Sequence, residues 1–154
     1  MDYSIIIKVA VAALLGAIVG FERELARKVA GIRTHSLVCL ASALFTSISV
    51  DAFKPYIGSV GYDPSRIISN IVVGIGFIGA GAILRNGSKV EGTTTAASLW
   101  AIAAIGVTVG VGLFKEAILI TILVYSVLQV VWLVEQKIRA KFGSIYKHKP
   151  ENDE

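Results

Sequence analysis

Long apolar runs recur along this chain, separated by short polar stretches. The pattern predicts five helices, over residues 5–20, 36–53, 67–84, 95–114 and 117–134. Most hold 16–20 residues, about 24–30 Å at the helical rise, which is the thickness of a bilayer's hydrocarbon core. The last run carries no charge at all. The expected architecture is all-α: a polytopic membrane protein with a bundle of five transmembrane helices over 1–136. A basic tail over 137–154 follows, with the pattern of an interfacial helix.

Boundary residues support this division. "DPSR" at 63–66 offers Asp63 as an N-cap with Pro64 at the first helical position. "GTTTAAS" at 92–98 supplies threonines to cap the fourth helix, and "GLFKE" at 112–116 leaves room only for a tight turn. The leading "MDYS" has no positive charge, and "FERE" after Gly20 is no cleavage site, so an uncleaved helix is expected rather than a signal peptide.

Composition agrees. Of 154 residues, 55% are hydrophobic and 17% charged, with mean hydropathy +0.72; soluble domains carry about a quarter charged residues. The lone Cys39 lies in an apolar run and suggests neither a disulfide nor a metal site. Of the 15 Lys and Arg, 11 fall in the 21–35 loop, the 85–92 loop and the tail, which five spans place on one side. The positive-inside rule makes that side cytoplasmic and the amino terminus external, in a multi-pass membrane protein.

Residues 71–81, "IVVGIGFIGAG", contain the spacing of a dinucleotide-binding fingerprint, Gly74-x-Gly76-x-x-Gly79. That fingerprint requires a soluble strand–helix unit, and its neighbours here are charge-poor spans. Small residues also let membrane helices approach closely. The preferred reading is therefore packing seams: Gly16 and Gly20, Gly74, Gly76, Gly79 and Gly81, and Gly106 and Gly110. An alternative has the third helix's glycines exposing carbonyls to a polar path. The seams exceed the needs of one bundle, so a homodimer is expected through one of them.

No catalytic motif is present, and no cofactor, metal site or nucleic-acid partner is expected; the chain reads as a non-enzyme. Candidate chemistry lies at the ends of the spans. Glu22 and Glu24 end the first helix, where the dipole disfavours anions, so they are expected to be held by cations among Arg23, Arg27, Arg33 and Arg85, with Arg33 or Arg85 as the specific expectation. With Thr34, His35, Thr94 and Thr95 they form a cytoplasmic polar rim, either a salt-bridged anchor or a mouth for a ligand or partner. At the other side Asp51 and Arg66 are expected to pair, with a cation-entry role for Asp51 as the alternative. In the tail, Ile138, Phe142, Ile145 and Tyr146 make an apolar stripe opposed by lysines and Arg139.

"GFERELARKVAGIRTHSLVCLASALF", "DPSRIISNIVVGIGFIGAGAIL" and "GTTTAASLWAIAAIG", in this order, resemble the MgtC/SapB family of inner-membrane proteins. The resemblance covers residues 10–130. It implies five spans, a link to growth at low Mg²⁺, virulence in some members, and modulation of other membrane complexes such as ATP synthase or a cation transporter. Its motifs carry over onto Glu22, Arg23, Glu24, Arg33, Thr34, His35, Arg66, Arg85, Thr94 and Thr95. Several members have a further soluble carboxyl-terminal domain, and this sequence is expected to be a short form without it. A regulatory role is the first expectation and direct transport of Mg²⁺ or another cation the alternative.

Overall fold

The computed structural model describes residues 4–53, 55, 58, 63, 65–86 and 89–146. Five α-helices make up nearly all of it: α1 (Ser4–Leu25), α2 (Ile32–Ser47), α3 (Ser65–Gly81), α4 (Thr93–Val111) and α5 (Phe114–Tyr146). A π-helical turn, Ile48–Ala52, prolongs α2. α1, α2 with its π turn, α4 and α5 are long and apolar enough to cross a membrane, and α3 is a shorter apolar helix of 17 residues. A hairpin of β1 (Leu84–Asn86) and β2 (Lys89–Glu91) joins α3 to α4, pairing Arg85 with Val90.

α2 is the central helix, and glycines on both neighbours put it there. A methyl group on Gly16 would stand 2.6 Å from the His35 carbonyl oxygen, and one on Gly20 2.7 Å from the Ile32 Cα. From the other side, a methyl on Gly110 would meet Thr46 Cβ at 2.6 Å, and one on Gly106 would collide with the Cys39 carbonyl. α1 therefore packs antiparallel to α2, and α4 parallel to it, at backbone contact. Ala12, Leu15, Val19, Cys39, Ala43, Ile102, Ile105 and Val109 fill the core between these three.

α3 is held differently. A small cluster of Ala30, Ile75, Ala82, Leu99 and Ala103 fixes its last turns against α4. Gly79 makes ordinary contact with Ala96, but methyl groups on Gly74, Gly76 or Gly81 would meet nothing within 4 Å. The expected seam on these three glycines is thus corrected: within the chain they face open space, because α3 leans on α4 through one edge only. Phe77, 85% exposed, stands on the same open surface.

Several helix ends differ from expectation. α1 runs five residues past Gly20 and α2 starts four residues before Ser36, so "FEREL" and "IRTH" are helical. The N-cap of α4 is Gly92, in the left-handed region at φ 89° and with no side-chain cap, rather than a threonine. Gly92 is required there, since any side chain would run into the Ala82 carbonyl. Ahead of α3, the Asp63 carboxylate accepts the Ser65 N–H at 2.9 Å. The Ser65 hydroxyl and this N–H hold the Asp63 carboxyl below the usual carboxylate range. α5 continues without a break through residue 137 to Tyr146. Ile138 is exposed there. Pro64, Lys54, His148 and the side chains of Arg139, Phe142, Ile145 and Tyr146 lie outside the described residues.

Candidate functional site

Polar side chains are buried at both ends of the bundle. At one end α1 finishes in a Schellman arrangement: the Lys28 N–H bonds the Arg23 carbonyl and the Arg27 N–H bonds that of Glu24. Arg27 occupies the left-handed position at φ 52°, which glycine usually takes. Beyond it the Glu24 carboxylate accepts the N–H of Ile32 at 3.0 Å, at the start of α2. An anion is favoured at that helix end and disfavoured at its own. Gly31 permits the contact, because a methyl there would lie 2.5 Å from the Glu24 carboxylate oxygen.

Glu22 and Arg23 turn inward instead. Both are buried, and the Arg23 guanidinium donates through Nε and a terminal nitrogen to the two oxygens of Glu22. Neighbours in sequence do not usually face each other on a helix, so this forked pair spans the turn. Of the expected cations, Arg23 holds Glu22; the more specific expectation of Arg33 or Arg85 is corrected, because Arg23 is already in reach of Glu22 and the Glu24 carboxylate caps α2 at Ile32. Arg33 and Arg85 are exposed.

Next to this pair, His35 is wholly buried between α1 and α4. Its Nδ1 lies 3.0 Å from the Gly31 carbonyl, which only accepts, so the network assigns the proton to Nδ1. Nε2 lies 3.0 Å from Ser98 Oγ, and that hydroxyl also reaches the Thr95 carbonyl at 2.8 Å. One hydroxyl proton thus stands between two acceptors. Histidine and serine at this spacing could act as base and nucleophile, but in this arrangement a substrate has no access to the buried ring.

The predicted rim therefore divides. Glu22, Arg23, His35 and Thr95 are buried together, Thr34 is half-buried, and Glu24, Arg33, Arg85 and Thr94 face outward. Ser98 is the member the sequence reading missed; its spacing three residues after Thr95 on one helix face was the available signal.

At the opposite end, Asp51 accepts from the Lys8 ammonium at 2.6 Å, with both side chains largely buried. The predicted Asp51–Arg66 pair is corrected accordingly. Lys8, inside the apolar first helix, is the charge in greater need of compensation, and Arg66 is exposed at the start of α3. Ser47 donates to the Gly110 carbonyl at 3.3 Å. Thr46 Oγ1, buried against Gly110, lacks a partner among the described residues.

A family model for MgtC matches residues 9–137, nearly the whole helical bundle. The chain belongs to the MgtC family. Protein MgtC of Salmonella typhimurium (strain LT2) is 43% identical over 119 residues, covering 77% of this chain and 48% of that protein. YhiD of Escherichia coli (strain K12), named as a proposed magnesium transporter, is 41% identical over 132 residues, 84% of this chain and 61% of YhiD. An uncharacterised protein of Haemophilus influenzae is 34% identical over 138 residues, covering 87% of this chain and 58% of that one. This MgtC-family chain spans about half to three-fifths of the length of these relatives. No solved structure matches it.

Proposed function

We propose that this MgtC-family protein regulates other membrane complexes through helix–helix contacts, in connection with magnesium homeostasis. It does so from the inner membrane, with its Glu22 end in the cytoplasm. The observation that carries this reading is the state of the two carboxylates drawn into the bundle. Glu22 is held by Arg23 and Asp51 by Lys8. Mg²⁺ binds hard oxygen ligands, carboxylates above all. To meet it here, either carboxylate must leave a cation buried and unpaired, at a cost of about 3–5 kcal/mol. Among the described residues no group of three or more His, Cys, Asp or Glu is placed to hold a metal ion.

The lipid-facing surface of α3, with Gly76, Phe77 and Gly81 open, supports the same reading, since it admits another helix at close range. ATP synthase, a cation transporter or a second copy of the chain is the partner to seek. The name of YhiD favours a second reading, direct magnesium transport. Purified protein in liposomes loaded with a Mg²⁺-sensitive dye separates the two. The regulatory reading expects the flux of protein-free vesicles; a protein-dependent flux abolished by Asp51→Asn establishes the transporter.

A further inference from the structure

Between α2 and α3, where α3 leans away, lies a cavity of about 480 Å³. Val38, Ala41, Phe45, Ile67, Ile71, Gly74, Ile75 and Ile78 give it apolar walls, and two polar side chains interrupt them. Ser42 projects from the α2 wall; it is only 4% exposed, and its hydroxyl has no hydrogen bond among the described residues. Asn70 stands on the α3 wall, exposed toward the open side of the groove. Hydrocarbon cannot satisfy either group, and a polar group without a partner there is costly.

The α3 wall runs from residue 67 to 78, about 16 Å along the helix axis. The groove is elongated and apolar along that length, and its volume is that of a small-molecule pocket, which suits an alkyl chain lying along the helix.

Depth identifies the polar end of that chain. Asn70 is five residues from Ser65, so it lies about 7 Å below the amino end of α3. α3 itself, at about 25 Å, is shorter than the hydrocarbon core, so the lipid headgroup boundary is drawn toward it. Antiparallel α2 brings Ser42 to the facing wall. We propose that the α2–α3 groove is a lipid site: it takes one acyl chain of a glycerolipid from the leaflet beside the α3 amino end, and the chain's ester carbonyl accepts hydrogen bonds from the Asn70 amide and the Ser42 hydroxyl.

The full chain is reconstituted in nanodiscs made from equal parts of a diester phosphatidylcholine and its diether analogue, with matched chains. Native mass spectrometry then reads what the protein keeps after release from the disc. The wild type retains one diester lipid in about tenfold preference over the diether, the ratio one hydrogen bond supplies. Asn70→Leu, which keeps the bulk but not the amide, loses the preference. Gly74→Leu fills the groove and loses retention while helical content and melting temperature hold. Equal retention of the two lipids by the wild type overturns the proposal, as does undiminished retention by Gly74→Leu. High-yield disulfide crosslinking of Asn70→Cys between two chains in native membranes also overturns it, because a second copy then fills the groove. Any of these three failures leaves the regulatory reading to its own flux test.

Discussion

α2 and α3 are nearly equal in length, 16 and 17 residues, and meet their surroundings in opposite ways. α2 has no glycine of its own, yet it is clamped at backbone contact on two sides by glycines of α1 and α4. α3 carries four, at 74, 76, 79 and 81, and only at Gly79 would an added methyl group meet anything within 4 Å. Glycine density is therefore no measure of close packing. What matters is whether a neighbour presents small surface at the same height. α2 does so with Ser36, Cys39, Ala43 and Thr46 at successive turns, whereas α3 faces only Ala96 at one turn.

The sharpest way to break this comparison is to place the same side chain on both helices' seams. Gly106→Leu must displace the α2 backbone, which has nowhere to go, so loss of the folded bundle or more than about 3 kcal/mol is expected. Gly76→Leu meets open space and improves helix propensity by up to about 1 kcal/mol. Detergent-solubilised melting curves of the two variants check this, and equal losses would erase the distinction.

A smaller effect tests what ties the far end of α2 to α1. Lys8→Met leaves the Asp51 carboxylate buried without its cation, at about 3 kcal/mol or more, whereas the double change Lys8→Met with Asp51→Leu recovers most of the loss. A double variant as unstable as the single one would show that the ion pair is not the tie. The smallest change concerns the turn that feeds α2. Arg27→Gly relieves a left-handed residue and should raise stability by about 1 kcal/mol, read as a modest rise in melting temperature.

The spans were legible because a run of 16–20 apolar residues has few other fates. The roles of Gly16, Gly20, Gly106 and Gly110 were legible too, since their four-residue spacing marks one helix face. Charge partners were not. Arg23 was one of several cations in reach of Glu22, and only the folded turn shows that its guanidinium curls back on its own neighbour. Lys8 looked like an isolated charge within a span, because nothing local to residue 8 announces a carboxylate 43 positions away. The exposed state of Gly74, Gly76 and Gly81 depends on how far α3 leans from α2, a property of tertiary packing that no spacing along α3 records. The β-hairpin escaped notice for a simpler reason: three-residue strands leave almost no alternation to read.

The 33 residues of α5 extend about 50 Å as one uninterrupted rod, against roughly 30 Å of hydrocarbon. About 20 Å of stiff helix therefore stands beyond the membrane surface, on the side where Glu22, His35 and the hairpin lie. Few of its side chains are buried against the rest of the bundle, so its inclination is set as much by the bilayer as by the protein. A thinner or thicker membrane would change the tilt of the immersed part, and the projecting part would sweep through the same angle at longer radius. The projecting end of the helix is thus a lever whose position follows bilayer thickness.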